Sequence, residues 1–271
     1  MTPGRRRFDG KVVVITGAAS GIGAATAQRF AKHGAKVHVC DRNTLGAEEV
    51  AAAIGNGAVA HTVDVSDPAA VEALAEAVFA EDGAVDVLHN NAGIGWSGPV
   101  EEMTLQEWED LIGVNLMGVI YGTHAFLPRL LAQGRPAHIV NTASSAGLFP
   151  APYLSAYTAS KFGVVGLSQA LNVELAPRGV RVTAICPGAI DTPFVADVAN
   201  PKLGGDRVTE LVRRFGRQPD AVAKAVLNSI GTRKVIVTPH IEFVQPPWWL
   251  QRLSPQTYQL AAQTALRLRR T

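Results

Sequence analysis

From Lys11 onward, short runs of β-branched residues alternate with longer amphipathic segments. The runs Val12–Thr16, Val37–Asp41, Val59–Asp64, Val85–Asn90, Ala137–Thr142, Val180–Pro187 and Lys234–Thr238 read as strands. Val12-Val13-Val14-Ile15 contains no polar position, as expected of a strand that helices cover on both faces. Strands alternating with helices in this way predict βαβ units and a doubly wound parallel sheet of about seven strands, in the α/β class. No linker, low-complexity tract or repeat breaks the alternation, so one domain is expected over residues 11–240, flanked by extensions at 1–10 and 241–271.

The intervening segments carry readable helix starts. Asp67-Pro68 offers an N-cap followed by proline at the first helical position, ahead of an alanine-rich stretch. Thr104 with Glu107 forms a capping box that opens a long helix towards Leu131, on which Trp108, Leu111, Ile112 and Val119 share an inward face.

Composition narrows the function classes. The chain has 271 residues, of which 47% are hydrophobic and 18% charged, and a net charge of +2. That balance is globular, and the charge is too small to suggest a nucleic-acid partner. Cys40 and Cys186 each end an apolar run with no second thiol or histidine at ligand spacing, so both read as buried small hydrophobes. The seven histidines are scattered singly, and no metal is expected. Met1 to Phe8 is basic without the apolar core of a signal peptide, and no stretch reads as membrane-spanning, which makes the cytoplasm the expected compartment. A hydrolase is excluded for want of a G-x-S-x-G elbow.

Two constellations carry chemistry. Thr16-Gly17-Ala18-Ala19-Ser20-Gly21-Ile22-Gly23 follows the first strand and opens a helix. Glycines there permit a tight turn and close backbone approach to a pyrophosphate, while the helix N-terminus supplies amide donors, the arrangement of a Rossmann fold. Asp41 ends the second strand, where a carboxylate accepts hydrogen bonds from the adenosine ribose. It would repel a 2′-phosphate, which favours NAD over NADP, although the adjacent Arg42 could hold such a phosphate. The plainer alternative for Asp41 is a turn or helix-capping carboxylate. Further along, Tyr157-Thr158-Ala159-Ser160-Lys161 sets a phenol and an ammonium one helical turn apart, if about Ser155 to Ala176 is helical. A nearby cation favours the phenolate and suits the tyrosine to general acid/base catalysis.

With those residues in order, the sequence resembles the short-chain dehydrogenase/reductase family from Lys11 to about Val237. The rest of the family's series follows: Asp64-Val65, Asn90-Asn91-Ala92-Gly93, Asn115, Ser144 and Pro187-Gly188. The resemblance implies that Tyr157 donates or accepts the proton on the substrate oxygen, that Lys161 binds the nicotinamide ribose and lowers the Tyr157 pKa, and that Ser144, rather than Ser145, holds the same oxygen. It implies that Asn115 holds a water linking Lys161 to solvent; by itself that residue also reads as a satisfied core amide. It places Asp64 and Val65 around the adenine, Asn91, Ala92 and Gly93 along the adenosine ribose, and Pro187 to Thr192 at the carboxamide, through the Ile190 backbone and the Thr192 hydroxyl. A homodimer or homotetramer is expected by the same analogy. A dinucleotide-binding sensor without chemistry is the alternative, which the intact Ser144, Tyr157 and Lys161 oppose.

Beyond the motifs, residues 193–216 stand where the family places a substrate lid. Its Phe194, Val195 and Val198 suggest an apolar substrate wall or merely dock the lid, and Lys202, Arg207, Arg213 and Arg214 add charge. Trp96 and Leu148-Phe149-Pro150 are expected to flank the same pocket, favouring a hydrophobic alcohol or ketone. Past Thr238 the chain departs from the commonest family ending, with Tyr258, Ala261, Ala262, Ala265 and Leu268 at helical spacing and arginines beyond. That stripe can lie on a membrane or pack against protein; its alanines favour packing.

Overall fold

Alternate residues of the first strand feed two different cores, and this sets the architecture. The computed structural model describes residues 7–198, 210, 212–214 and 216–269. In β1 (Val12–Thr16), Val13 and Ile15 join one buried cluster and Val12 and Val14 another. The first cluster takes α1 (Gly21–Lys32) through Ala27 and Phe30, and α2 (Thr44–Ile54) through Ala47 and Ala51. The second takes α3 (Pro68–Asp82) through Val71, Leu74 and Val78. A strand buried on both faces has to be apolar throughout, which is why its run is unbroken.

The sheet continues with β2 (Lys36–Asp41), β3 (Val59–Thr62), β4 (Val87–Asn90) and β5 (Ala137–Thr142). It is completed by β6 (Val180–Ile185) and the two-residue β7 (Ile236–Val237). Every pairing is parallel, in the order β3-β2-β1-β4-β5-β6-β7. Connections therefore run outward in opposite directions from β1 and β4, leaving a crevice at their carboxyl ends.

Several strands are shorter than their apolar runs. β3 stops at Thr62: the Val63 amide makes the last bond to β2, to the Asp41 carbonyl at 3.0 Å, and the chain then turns. β4 begins at Val87 because the Asp86 carboxylate takes the Val12 amide at 3.0 Å and pairs with Lys11 and Arg135. Pro187, lacking an N–H, lies outside β6.

The capping box is present: Thr104 accepts from the Glu107 amide, and the Glu107 carboxylate accepts from the Thr104 amide at 2.7 Å. The long helix expected beyond it is not uniform. It runs as α4 (Leu105–Ile112), a π turn at Gly113–Met117, and α5 (Gly118–Ala132). The extra residue in the π turn divides the expected inward face. Leu111 packs with Met103 and Ala156, Val119 joins Val164 and Ala184, and Trp108 and Ile112 are only partly buried. By length and composition Leu105–Ala132 could cross a membrane, contrary to the reading of the sequence. In the fold Phe126 and Leu130 of this segment bury against β5 and α3 instead.

Helix α6 (Ser155–Leu175) follows β5, and after β6 come α7 (Phe194–Val198), α8 (Pro219–Ser229), α9 (Ile241–Leu253) and α10 (Pro255–Arg269). On α10 the half-buried face is Tyr258, Ala262 and Leu266; Ala261 and Ala265 are exposed. The Leu268 side chain, Lys202 and Arg207 lie outside the described residues.

At the outer edge, His38 on β2 bridges His61 on β3 (2.8 Å) and Asp82 (2.6 Å), and Lys36 pairs with Glu81 and Asp82. His38, Glu81 and Asp82 offer donor atoms close enough for a metal ion, a grouping that their distance along the chain concealed. Lys36 already supplies the positive charge there.

Two other buried histidines govern stability at low pH. Burial pushes His138 down to about 4 and His89 to about 3, against an ordinary 6.5. Both are neutral in the fold, so the unfolded chain takes up more protons once the pH drops below 6.5, and stability falls from there. The melting temperature is expected to be flat near neutrality and to decline steadily between pH 6.5 and 4; a profile level across that window would contradict the assignment.

Candidate active site

The turn from β1 into α1 is built by backbone proximity. Gly17 and Gly21 have φ of +63° and +53°, which glycine alone adopts freely. A Cβ on Gly17 would stand 2.6 Å from Ala92 Cα, and one on Gly23 would collide with the Gly17 carbonyl. Ser20 is the N-cap of α1 but makes no side-chain capping bond, so the first-turn amides keep their capacity for an anion. Asp41 accepts from the Ala19 amide at 3.0 Å and the Asn43 amide at 2.9 Å. It is thus a turn carboxylate, and with about four acceptor sites on a carboxylate it keeps capacity for a ligand donor.

The end of β4 is tied to this turn by side chains. Thr16 Oγ1 accepts from the Asn91 and Ala92 amides, at 3.0 and 3.2 Å. The Asn91 amide donates to the Thr16 and Gly17 carbonyls, at 3.0 and 3.1 Å, and accepts from Thr142 Oγ1 at 3.1 Å. Thr16 and Thr142 were not singled out in the sequence; as strand-ending threonines they carry no signal until β1, β4 and β5 are seen side by side.

Past β5, the Ser144 hydroxyl accepts from the Ala146 amide at 3.1 Å and acts on the Tyr157 phenol to favour its charged form. Lys161 is 2% exposed, its Nζ donating to the Thr142 carbonyl at 2.9 Å and standing 5.6 Å from the Tyr157 ring centre. Burial lowers Lys161 to about 8 and raises Tyr157 to about 12, with Ser144 pulling the phenol back down. The depression of Tyr157 expected from Lys161 is therefore not seen among the protein's own groups, where desolvation outweighs the pull of Ser144. Cys186, also buried, is likewise raised by burial.

A cavity of about 650 Å³ joins these parts. Gly17, Ser20, Gly21, Ile22, Asp41, Arg42, Asp64 and Val65 line one end, and Asn91, Ala92 and Gly93 follow. Ser144, Tyr157, Lys161, Pro187, Gly188 and Ile190 line the other, and Thr192 stands against Gly21, where a Cβ would lie 3.2 Å from its Cγ2. Gly23 shapes the turn from behind. Asn115 is fully buried in the π turn, its amide donating to the Ile94 carbonyl at 2.9 Å and accepting from the Ile94 amide at 2.8 Å. It lies behind Gly93, whose Cβ would stand 3.2 Å from Asn115 Oδ1 and 3.6 Å from Lys161 Nζ.

Around the catalytic end, Phe149, Leu154, Phe194, Val195, Val198 and Val212 are apolar lining. The Phe194 ring lies 5.6 Å from that of Tyr157. Trp96 is not among the lining residues: its indole donates to Glu107 at 3.1 Å and packs beside Met103 and Leu111. Leu148 is buried in the core and only Phe149 of its turn lines the cavity.

Hydride exchange with a nicotinamide requires a dinucleotide cradle and an acid/base group in one continuous cavity, and the class defined by this fold is a dinucleotide-dependent oxidoreductase. Comparison with known proteins agrees. The family model described as short chain dehydrogenase matches residues 11–202, and the chain belongs to that family. D-threitol dehydrogenase of Mycolicibacterium smegmatis is 43% identical over 82% of this chain and 86% of that protein. Cyclohexanol dehydrogenase of an Acinetobacter species is 38% identical over 81% of this chain and 87% of its own. A crystal structure of a short chain dehydrogenase/reductase from Burkholderia phymatum in complex with NAD superposes with a TM-score of 0.86 at 33% identity, covering 92% of this chain and 95% of that one.

Gly17→Ala is expected to cost about 2 kcal/mol or more, from the left-handed backbone and the collision with Ala92. The melting temperature should then drop by roughly 4 °C or more, with dinucleotide binding lost; unchanged melting and binding would contradict the close approach.

Proposed function

We propose that this protein is an NAD-dependent dehydrogenase that moves a hydride between the nicotinamide and a hydrophobic secondary alcohol or ketone. The observation that carries the reading is the continuity of one cavity from Asp41 to the Ser144, Tyr157 and Lys161 groups. Bound NAD supplies the hydride acceptor and, when oxidised, a positive charge on its ring. The residues do the rest. Asp41 accepts from the adenosine ribose hydroxyls, and Arg42, exposed beside it, leaves NAD preferred over NADP. Asp64 and Val65 border the adenine, Asn91, Ala92 and Gly93 the adenosine ribose, and Pro187, Gly188, Ile190 and Thr192 the nicotinamide half.

Tyr157 is the acid/base. Its phenol, lining the same cavity as Ser144, marks where the substrate oxygen sits, and Ser144 stabilises the charge that develops on that oxygen. Lys161 binds the nicotinamide ribose, and its cation joins that of the oxidised ring in favouring the phenolate over the effect of burial. Asn115, opened to one side by the π turn, holds the water that connects Lys161 to solvent. The set of groups opposes a sensor without chemistry, because each member faces the others across the same space.

The apolar lining, to which Phe194, Val195, Val198 and Val212 contribute, favours a substrate of the cyclohexanol kind over a polyol. Assembly as a homodimer or homotetramer uses α5 and α6; on α6, Phe162 and Val173 are 40% and 76% exposed. The protein works as a soluble cytoplasmic enzyme, and membrane contact is not favoured.

The test is NADH formation at 340 nm against a panel of secondary alcohols, with NAD and NADP compared. Tyr157→Phe should lower kcat by roughly 10²–10⁴-fold while NAD still binds. A variant as active as the wild type would overturn the assignment. Asp41→Ala should weaken NAD binding roughly 10- to 100-fold, as lost bonds to a charged acceptor do, and NADP binding far less, read by titration of cofactor fluorescence.

A further inference from the structure

The loop between Ser144 and Tyr157 connects two catalytic side chains and forms one wall of the cavity, with Phe149, Ala151, Pro152, Tyr153 and Leu154 as lining. Its own bonds include Gly147 to the Ser144 carbonyl and Leu154 to the Ala151 carbonyl, at 2.9 and 3.3 Å. Leu148 and Phe149 donate to the Ser145 carbonyl, and Ala151 reaches Thr158 Oγ1 only at 3.4 Å. Pro150 and Pro152 have no amide to offer. Tyr153 has a φ of +62°, a left-handed conformation that a bulky residue keeps only when its surroundings impose it. On the cavity's far side, the Gly98 amide donates to the Tyr153 carbonyl at 2.9 Å.

The other support comes from the C-terminal extension. Tyr258 on α10 donates its hydroxyl to the Pro150 carbonyl at 2.5 Å, and its ring lies 6.0 Å from that of Phe149. Phe149 therefore has the cavity on one side and Tyr258 on the other. Trp248 and Val244 of α9 pack into the cluster that holds Phe149 and Leu148. The same extension reaches the second bordering loop: His240, just before α9, accepts from the Gly188 amide at 3.4 Å.

We propose that Tyr258 is a positioning residue for substrate, and that the C-terminal extension is a specificity element that sets the wall through Phe149 and Pro150. This rests on the dehydrogenase reading above. Tyr258 touches neither the dinucleotide end nor the acid/base group, so its loss acts on how a bulky alcohol is held. Small alcohols, which do not reach the wall, are indifferent to it.

The experiment compares full-length wild type with Tyr258→Phe, which removes only the hydroxyl, and Tyr258→Ala, which removes the ring. KM and kcat are measured for cyclohexanol and for 2-propanol, beside NAD affinity and amide hydrogen exchange of residues 148–154. Tyr258→Phe should raise KM for cyclohexanol roughly 3- to 10-fold, the effect of one lost hydrogen bond, with kcat, NAD affinity and KM for 2-propanol little changed. Tyr258→Ala should do so more strongly, and the loop amides should exchange faster in both. Equal exchange in wild type and both variants overturns the clamp. Faster exchange with an unchanged ratio between the two alcohols overturns the role in specificity. If the wild type oxidises no alcohol, the dehydrogenase reading fails by itself and the exchange data still decide the clamp.

Discussion

Lys161 carries its amine into the interior, and the loops after β4 and β5 are shaped around it. A buried amine needs an acceptor, and the Thr142 carbonyl at the end of β5 provides it at 2.9 Å. Gly147 lies flush on the Lys161 carbonyl, where a Cβ would stand 2.5 Å away, and Gly93 faces the amine from the end of β4. One helix, α6, is thereby locked to two strand ends, and Tyr157 one turn earlier inherits that placement. Burial is costly to the amine, which titrates near 8; the same burial holds the phenol high, so the pair is poised for a second positive charge to release its proton.

The dinucleotide end depends on a different constraint, backbone against backbone. Gly17, Gly23 and Ala92 approach too closely for side chains, and Thr16, Asn91 and Thr142 stitch the three strand ends together. Because β1 and β4 are neighbours from which connections diverge, those ends open into a single crevice. The order of the strands thus puts Asp41 and the Ser144, Tyr157 and Lys161 groups along one cavity without any long-range charge interaction.

Much of this could be read from the chain. β1 was legible because a doubly covered strand has no polar position, and the capping box at Thr104 because its two bonds are local. Asp41, Tyr157 and Lys161 were legible as types at a spacing, and Ser144, Asn115 and the Pro187-Gly188 turn through the family's ordered motifs. The π turn at Gly113–Met117 was not, since it answers to the Ile94 backbone on another element. Trp96 was misplaced because hydrophobicity near a motif does not say which side of a loop it faces; its indole follows Glu107 instead. The direction of the Tyr157 shift was missed for a related reason: spacing on a helix reports a nearby cation but not how dry the site is.

The most direct measurement follows the hydrogen itself. A secondary alcohol deuterated at its carbinol carbon is incubated with the protein and NAD, and the reduced cofactor is examined by mass spectrometry and proton NMR. The account predicts one deuterium on nicotinamide C4, on a single face of the ring, since the cavity fixes how the two reactants meet. Reduced cofactor without that label, or label on both faces, would contradict direct transfer within this cavity.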